Sequence, residues 1–161
     1  MKWMLSTGVL IFGLAVYMPS FAQGSAETNK EEIELTRAII KIEKKQIVAK
    51  NMNLTSDEKD QFWAVYREYQ GKMDSVSDKR VKLITDYADT LKNGNLTDAK
   101  AWEMLNEYLS YESARIALKK SFVGKFRQVL PSKKATRFFQ LETKLEAIIN
   151  FELARQIPLV Q

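Results

Sequence analysis

The chain has 161 residues, a formal charge of +5 at neutral pH, and neither cysteine nor histidine. The absent cysteines exclude disulfides and thiolate chemistry, and the absent histidines remove the commonest metal ligand and general base. A domain of this composition depends on side-chain packing for its stability. We therefore predict that it is not an enzyme and that it holds no cofactor and no tightly bound transition metal.

The first 22 residues are typical of a secretory signal peptide. Lys2 precedes an apolar run from Trp3 to Met18, and Pro19 and a small-residue cleavage site ending at Ala22 follow. The run of about 16 residues is shorter than the ~20 residues that a membrane-spanning helix needs. This favours cleavage after Ala22 and a soluble periplasmic product over the alternative of an uncleaved anchor.

The remaining pattern predicts a flexible tail at residues 23–30 and a single all-helical domain at residues 31–161. Four helices are expected in this all-α fold, at about residues 28–49, 55–92, 97–129 and 131–157. The two central helices are long and antiparallel, and at 1.5 Å per residue the first of them reaches about 55 Å. Gly94 is placed to end it, as a glycine commonly ends a helix.

The third helix carries two apolar stripes, so its buried face is left open. The first stripe contains Trp102, Leu105, Leu109, Ile116, Val123 and Phe126, and its neighbour contains Met104, Tyr108, Tyr111, Leu118 and Phe122. Both follow the three- and four-residue steps of an amphipathic helix. The periodicity does not decide whether Phe122 or Phe126 belongs to the core.

Similar short motifs open three of the helices. They read Leu54-Thr55-x-x-Glu58, Leu96-Thr97-x-x-Lys100 and Leu130-Pro131-x-x-Lys134. A threonine before a helix, with a glutamate three residues later, forms a capping box that satisfies free N–H groups. We therefore expect Leu54, Thr55, Glu58, Leu96 and Thr97 to act in helix capping.

With these motifs, the chain resembles the Spy/CpxP family of periplasmic proteins, which is named for LTxxQ motifs. The resemblance covers about residues 52–144, and the family's glutamine is replaced by Glu58 in the first motif and by Lys100 in the second. It implies a bent, cradle-like hairpin that dimerises through its long helices. It also implies either an ATP-independent chaperone or an inhibitor or sensor in envelope-stress signalling. Separately, long helices with single apolar stripes bury poorly in a small monomer, which also favours a homodimer.

The segment from Arg115 to Arg137 contains eight basic residues and no acidic residue, with phenylalanines between them. One interpretation is a solvated helix face above an ordinary core. A second is a binding face for unfolded or acidic polypeptide, and a third is weak contact with an anionic membrane surface. Nucleic acid is not expected as a partner. The candidate binding residues are Arg115, Lys119, Lys120, Phe122, Lys125, Phe126, Arg127, Lys133, Lys134, Arg137 and Phe138.

The leading hypothesis from the sequence is a periplasmic, ATP-independent chaperone that binds unfolded or aggregation-prone polypeptides through this basic face and the adjacent phenylalanines. The alternative is an envelope-stress sensor or inhibitor that docks on a membrane sensor kinase or an anti-sigma partner. A chaperone binds many unrelated clients weakly, whereas a regulator binds one partner selectively.

Overall fold

The computed structural model describes residues 26–160, and side chains from residue 33 onwards. The predicted signal peptide at residues 1–22 lies outside the described residues. Residues 26–160 contain four helices: α1 at Ala26–Asn51, α2 at Ser56–Lys92, α3 at Asp98–Val129 and α4 at Ser132–Gln156. The described part of the chain contains no strand, which confirms the predicted all-α fold. None of these helices is both long enough and apolar enough to span a membrane.

The chain divides between Glu43 and Lys44 into two compact units, so the predicted domain at residues 31–161 includes parts of both. The described part of the first unit is the N-terminal part of α1, residues 26–43. Helix α1 begins at Ala26, so the segment predicted as a tail contains its first residues. The second unit contains the end of α1 together with α2, α3 and α4, and it holds the hydrophobic core.

Contacts between side chains establish the directions of the helices in the second unit. The Lys125 ammonium lies 2.6 Å from the Glu68 carboxylate, and the Arg80 guanidinium lies 5.6 Å from the ring centre of Tyr111. Positions further along α2 therefore meet earlier positions of α3, and the two long helices are antiparallel, as predicted. Helix α4 runs parallel to α2, because Gln70 contacts Glu142 and Arg80 contacts Asn150.

The core is a cluster of aromatic rings from three helices. Phe62 and Tyr69 of α2, Phe122 and Phe126 of α3, and Phe138 of α4 are all almost completely buried. The ring centres of Phe126 and Phe138 are 4.2 Å apart, and those of Tyr69 and Phe122 are 5.3 Å apart. Many of the ring pairs are edge-to-face, which adds to the stabilisation from burial alone. This cluster joins α2, α3 and α4 at one end of the unit.

The predicted capping motifs are present at the starts of α2 and α3. The backbone N–H of Thr55 donates to the Glu58 carboxylate at 2.9 Å, completing a capping box. Thr97 accepts a hydrogen bond from the backbone N–H of Lys100 at 3.2 Å. Leu54 packs partly buried against the core, which fixes the entry of the chain into α2. Leu96 is partly exposed beside the second cap.

Helix α2 ends in a Schellman motif around Gly94. The glycine has a φ of 65°, its N–H donates to the carbonyl of Leu91, and the N–H of Asn95 donates to the carbonyl of Thr90. These two bonds satisfy carbonyls that the end of a helix leaves without partners. A residue without a side chain adopts this left-handed conformation at no steric cost.

Candidate functional site

The basic segment from Arg115 to Arg137 covers the C-terminal half of α3, the short connection at residues 130–131 and the first turns of α4. Its candidate residues do not form one exposed surface. Five of the eight basic side chains bind acidic side chains or backbone carbonyls elsewhere in the fold, and the three phenylalanines lie in the core. The predicted site therefore separates into parts with different roles.

Arg115 and Lys119 hold α3 against α4. The Arg115 guanidinium contacts the Glu146 carboxylate at 2.7 Å and the Glu112 carboxylate at 2.5 Å. Lys119 also contacts Glu146. All four side chains are mostly shielded from water, so these ion pairs are less screened than surface pairs. A partner that needed these two basic groups would have to break contacts within the fold.

Lys125 joins α3 to α2. Its ammonium contacts Glu68 at 2.6 Å and lies 4.8 Å from the ring centre of Phe122. The hydrogen bond from Lys125, followed by that from Lys72, holds the pKa of the Glu68 carboxyl below its usual value. Because Lys125 and Glu68 are both partly exposed, this pair contributes little to stability.

Lys134 and Arg137, in the first turns of α4, bind the connection between α1 and α2. The Arg137 side chain donates to the carbonyl of Asn51 at 2.7 Å, and Lys134 donates to the carbonyl of Asn53 at 3.0 Å. Asn51 is the last residue of α1, where positive charge interacts favourably with unpaired carbonyls. Lys134 also binds Glu58, and this bond, followed by that from Thr55, lowers the pKa of the Glu58 carboxyl. Both basic residues therefore have structural partners.

The prediction that Phe122, Phe126 and Phe138 lie beside an exposed basic face is wrong. These three side chains are at most 1% exposed and form the centre of the aromatic cluster. Phe122 packs on Tyr69 of α2, whereas Phe126 packs on Phe138 of α4. Both phenylalanines of α3 are buried because this helix contacts two neighbouring helices. In this fold their rings are not accessible to a client.

Lys120, Arg127 and Lys133 are the basic residues of the segment that keep exposed charge. Among the residues that the structure describes, they form no ion pair. Lys120 and Arg127 project from α3, and Lys133 lies in the first turn of α4. The electrostatic part of the predicted site is thus smaller than the count of eight bases indicates.

The second unit contains a buried polar cluster that the sequence interpretation missed. Glu142 of α4 is fully buried, and its carboxylate accepts hydrogen bonds from Lys44 at 3.2 Å and from Gln70 at 3.4 Å. The Tyr69 hydroxyl lies in the same region, buried and without a hydrogen-bond partner among the described residues. Burial, together with the charge of Glu142, raises the pKa of Tyr69. Glu142 lies four residues after Phe138, which places both on the same face of α4, and this spacing could have indicated that the carboxylate is buried.

Several large apolar side chains of α1 and α3 are exposed. On α1 these are Leu35, Ile39 and Ile42, which we call the α1 face. On α3 they are Trp102, Leu105, Leu109, Ile116 and Val123, which we call the α3 stripe. Long helices with single apolar stripes were expected to bury poorly in a small monomer, but the sequence did not identify which of these side chains stay exposed. Contiguous apolar surfaces of this kind mark sites of association.

Metal binding has no structural support in the described part of the chain, where no group of acidic side chains is arranged to hold an ion.

No family model, curated protein or solved structure matches the chain. The resemblance to the Spy/CpxP family therefore depends on the helix-opening motifs alone.

Proposed function

We propose that this chain is an exported, ATP-independent chaperone that binds unfolded or aggregation-prone polypeptides in the periplasm. The observation that carries the proposal is the α1 face, where three aliphatic side chains are exposed at steps of four and three residues. On the opposite side of this helix, Ile33 and Ile40 are only partly exposed. The α1 face is therefore separate from the partly buried side of the helix that carries Ile33 and Ile40, and it stays in contact with water.

An exposed aliphatic helix face suits a client that is itself unfolded. Unfolded polypeptides present apolar side chains that are buried in their native state, and covering both surfaces removes apolar area from water. A client that completes its folding withdraws those side chains, so its affinity for the α1 face falls. Release then needs no nucleotide. The sequence contains no glycine-rich phosphate loop that would favour an ATP-driven cycle.

Positive charge supports the first encounter with acidic segments of a client. The full sequence has a net charge of +5, which becomes +4 once Lys2 is removed with the predicted signal peptide. The exposed Lys45 and Lys50 lie on α1, C-terminal to the α1 face. Lys120, Lys133 and Arg127 add exposed charge in the second unit. Such charges raise association rates more than final affinity, and salt reduces their effect. The phenylalanines of the basic segment take no part in this mechanism, because they are buried.

Light scattering of a chemically unfolded client, diluted into buffer with the purified protein and without ATP, tests the proposal. We expect near-stoichiometric protein to suppress aggregation, and to do so less well at higher salt. Ile39→Glu is expected to lose this suppression, because it places a charge in the α1 face. Ile148→Glu is the matched control, since Ile39 and Ile148 are 46% and 51% exposed.

Two results would contradict the proposal. The first is normal suppression by the Ile39→Glu variant, which would exclude the α1 face as the capture surface. The second is no suppression of several unrelated clients by the unmodified protein. That result would direct attention to the alternative, an envelope-stress regulator that binds one membrane partner selectively.

A further inference from the structure

The turn between α2 and α3 contains the dipeptide Asn93-Gly94. Asn93 is the only asparagine of the chain that is followed by a glycine. Both residues are exposed to water, and Asn93 directly follows the last residue of α2. An asparagine can lose its side-chain amide without an enzyme when the backbone nitrogen of the next residue attacks it. A glycine in the next position favours this attack, because it has no side chain to obstruct the approach.

The reaction is deamidation, and water is its only co-reactant. The Gly94 nitrogen forms a bond to the side-chain carbonyl carbon of Asn93. The bond from that carbon to the amide nitrogen breaks, and the proton of the Gly94 N–H leaves with the amide group as ammonia. Water then opens the resulting cyclic imide at either of its two carbonyl carbons. One opening gives aspartate, and the other gives isoaspartate, in which the main chain runs through the side-chain carbon.

The cap at the end of α2 holds this site in a conformation that cannot react. Asn93 has a φ of −90° and a ψ of 0°. A ψ of 0° turns the Gly94 nitrogen towards the backbone nitrogen of Asn93. The Cβ atom of Asn93 lies about 120° further round the Cα–C bond, because the substituents of Cα are tetrahedral. The attack therefore needs a large rotation about this bond.

The same rotation breaks the hydrogen bonds that end α2. The N–H of Gly94 donates to the carbonyl of Leu91 at 3.1 Å, and the N–H of Asn95 donates to the carbonyl of Thr90 at 3.0 Å. Both donors lie after the rotating bond and both acceptors lie before it, so the rotation separates them. Hydrogen bonds at the end of a helix are among those that open most readily in a folded protein.

We infer that Asn93 is a site of spontaneous deamidation, and that the reaction occurs in copies whose last turn of α2 has opened. Two hydrogen bonds of ordinary strength must break first, which slows the reaction about 30-fold relative to an unfolded peptide. Because the reaction releases ammonia and is not reversed, modified copies accumulate with time. This inference is independent of the proposed chaperone activity, which depends on the α1 face.

Deamidation weakens the cap that protected the site. The new carboxylate lies at the C-terminal end of α2, where unpaired carbonyls already concentrate negative charge. Isoaspartate also adds one carbon atom to the main chain before the Gly94 nitrogen, which displaces the following N–H groups from their acceptors. A modified copy is therefore expected to hold the turn between α2 and α3 less firmly. Hydrogen exchange at Gly94 and Asn95 should be faster in an aged sample than in a fresh one.

Mass spectrometry of the purified protein after incubation at mildly alkaline pH measures the reaction. Trypsin releases residues 93–100 as one peptide, which contains both Asn93 and Asn95. Asn95 is the internal control, because leucine follows it. We expect Asn93 to become aspartate and isoaspartate while Asn95 keeps its amide, at a rate that rises with pH because the attacking nitrogen must lose its proton. A synthetic peptide of residues 88–98 should react about 30-fold faster than the protein.

A pair of variants tests whether opening of α2 controls the rate. Lys92→Gly and Lys92→Ala both remove the exposed lysine that ends the helix, so they differ only in helix propensity. Glycine favours a helix less than alanine does, and we expect Asn93 to react about fivefold faster in the Lys92→Gly protein. Synthetic peptides with the same two changes should react at equal rates, because they have no helix to open.

Three results would overturn the inference. An unreacted Asn93 after many multiples of the expected half-life would show that it is not a deamidation site. Equal rates in the folded protein and in the synthetic peptide would show that the cap does not protect it. Equal rates in the Lys92→Gly and Lys92→Ala proteins would show that the reaction does not require the end of α2 to open.

Discussion

Replacing Lys44 by methionine is expected to destabilise the second unit more than any other exchange of a lysine for methionine on α1. Lys44 and Glu142 form an ion pair at 3.2 Å, and their side chains are 13% and 0% exposed. At an effective dielectric constant near 20, two unit charges at this distance attract by about 5 kcal/mol before solvation costs are included. Lys44→Met removes this attraction but leaves the carboxylate in the core.

The remaining hydrogen bond to Glu142 does not replace the lost partner. Gln70 donates to the carboxylate at 3.4 Å, which is a long and therefore weak contact. Breaking a buried ion pair by removing one member costs about 3–5 kcal/mol. Because the Lys44 side chain is 13% exposed, some water can reach this site, and we expect the lower end of this range, a loss of about 3 kcal/mol in the free energy of unfolding.

Urea denaturation followed by circular dichroism measures this loss, and urea leaves the ionic strength unchanged. Lys50→Met is the control on the same helix, where the lysine is exposed. The double variant Lys44→Met with Glu142→Leu is expected to lie within about 1 kcal/mol of the unmodified protein, because it leaves no charge buried. Equal losses in Lys44→Met and Lys50→Met would refute the reasoning.

Three further changes are expected to alter stability in the same urea assay. Phe138→Ala should cost about 4 kcal/mol, because it removes the central ring of the core, whereas Phe138→Leu should cost much less. Gly94→Ala should cost about 1 kcal/mol because of the positive φ at this position, and Gly94→Asn should cost less. Glu58 has a folded-state pKa below its reference value of 4.5, so its stabilising effect is present above about pH 4.5 and is lost as the pH falls through the folded-state pKa. Glu58→Gln should therefore reduce the loss of stability on acidification, and an unchanged acid limb would contradict the role of the Lys134 contact.

The ends of the helices were predictable because the signals that determine them are local. The second and third helices were expected to start at Thr55 and Thr97, and α2 and α3 begin one residue later in each case. A hydroxyl or carboxylate that caps a helix acts within three residues of its own position. Gly94 was expected to end the second helix, and its positive φ requires only its own lack of a side chain.

The buried face of α3 was not predictable from periodicity, because two apolar stripes fit the helix equally well. The structure buries Met104, Tyr111 and Phe122 from one stripe and Phe126 from the other. Phe126 is buried because α3 packs against α4 as well as α2, so the buried face is wider than one stripe. The number of neighbouring helices is a tertiary property, and a single helix does not encode it.

The prediction of one exposed basic face was wrong for a related reason. The acidic residues that pair with these basic residues are distant from them in the sequence. No acidic residue lies between Arg115 and Arg137, yet Lys125 binds Glu68 of α2, and Lys119 binds Glu146 of α4. A count along the chain records the bases together but misses acids that other helices bring beside them. An apparent charge cluster in a helical bundle therefore indicates a binding face only where its members have no partner in the folded protein.

Adjacent lysines of α3 provide a direct test of this distinction. Lys119 pairs with the largely shielded Glu146, whereas Lys120 is exposed and forms no ion pair among the described residues. Lys119→Glu is expected to lower the free energy of unfolding by about 2 kcal/mol, because it places a second carboxylate beside that of Glu146, where water has little access. Lys120→Glu should change it by less than about 0.5 kcal/mol. If the two variants are equally stable, the contact with Glu146 does not hold α3 to α4, and Lys119 would again be a candidate for binding a client.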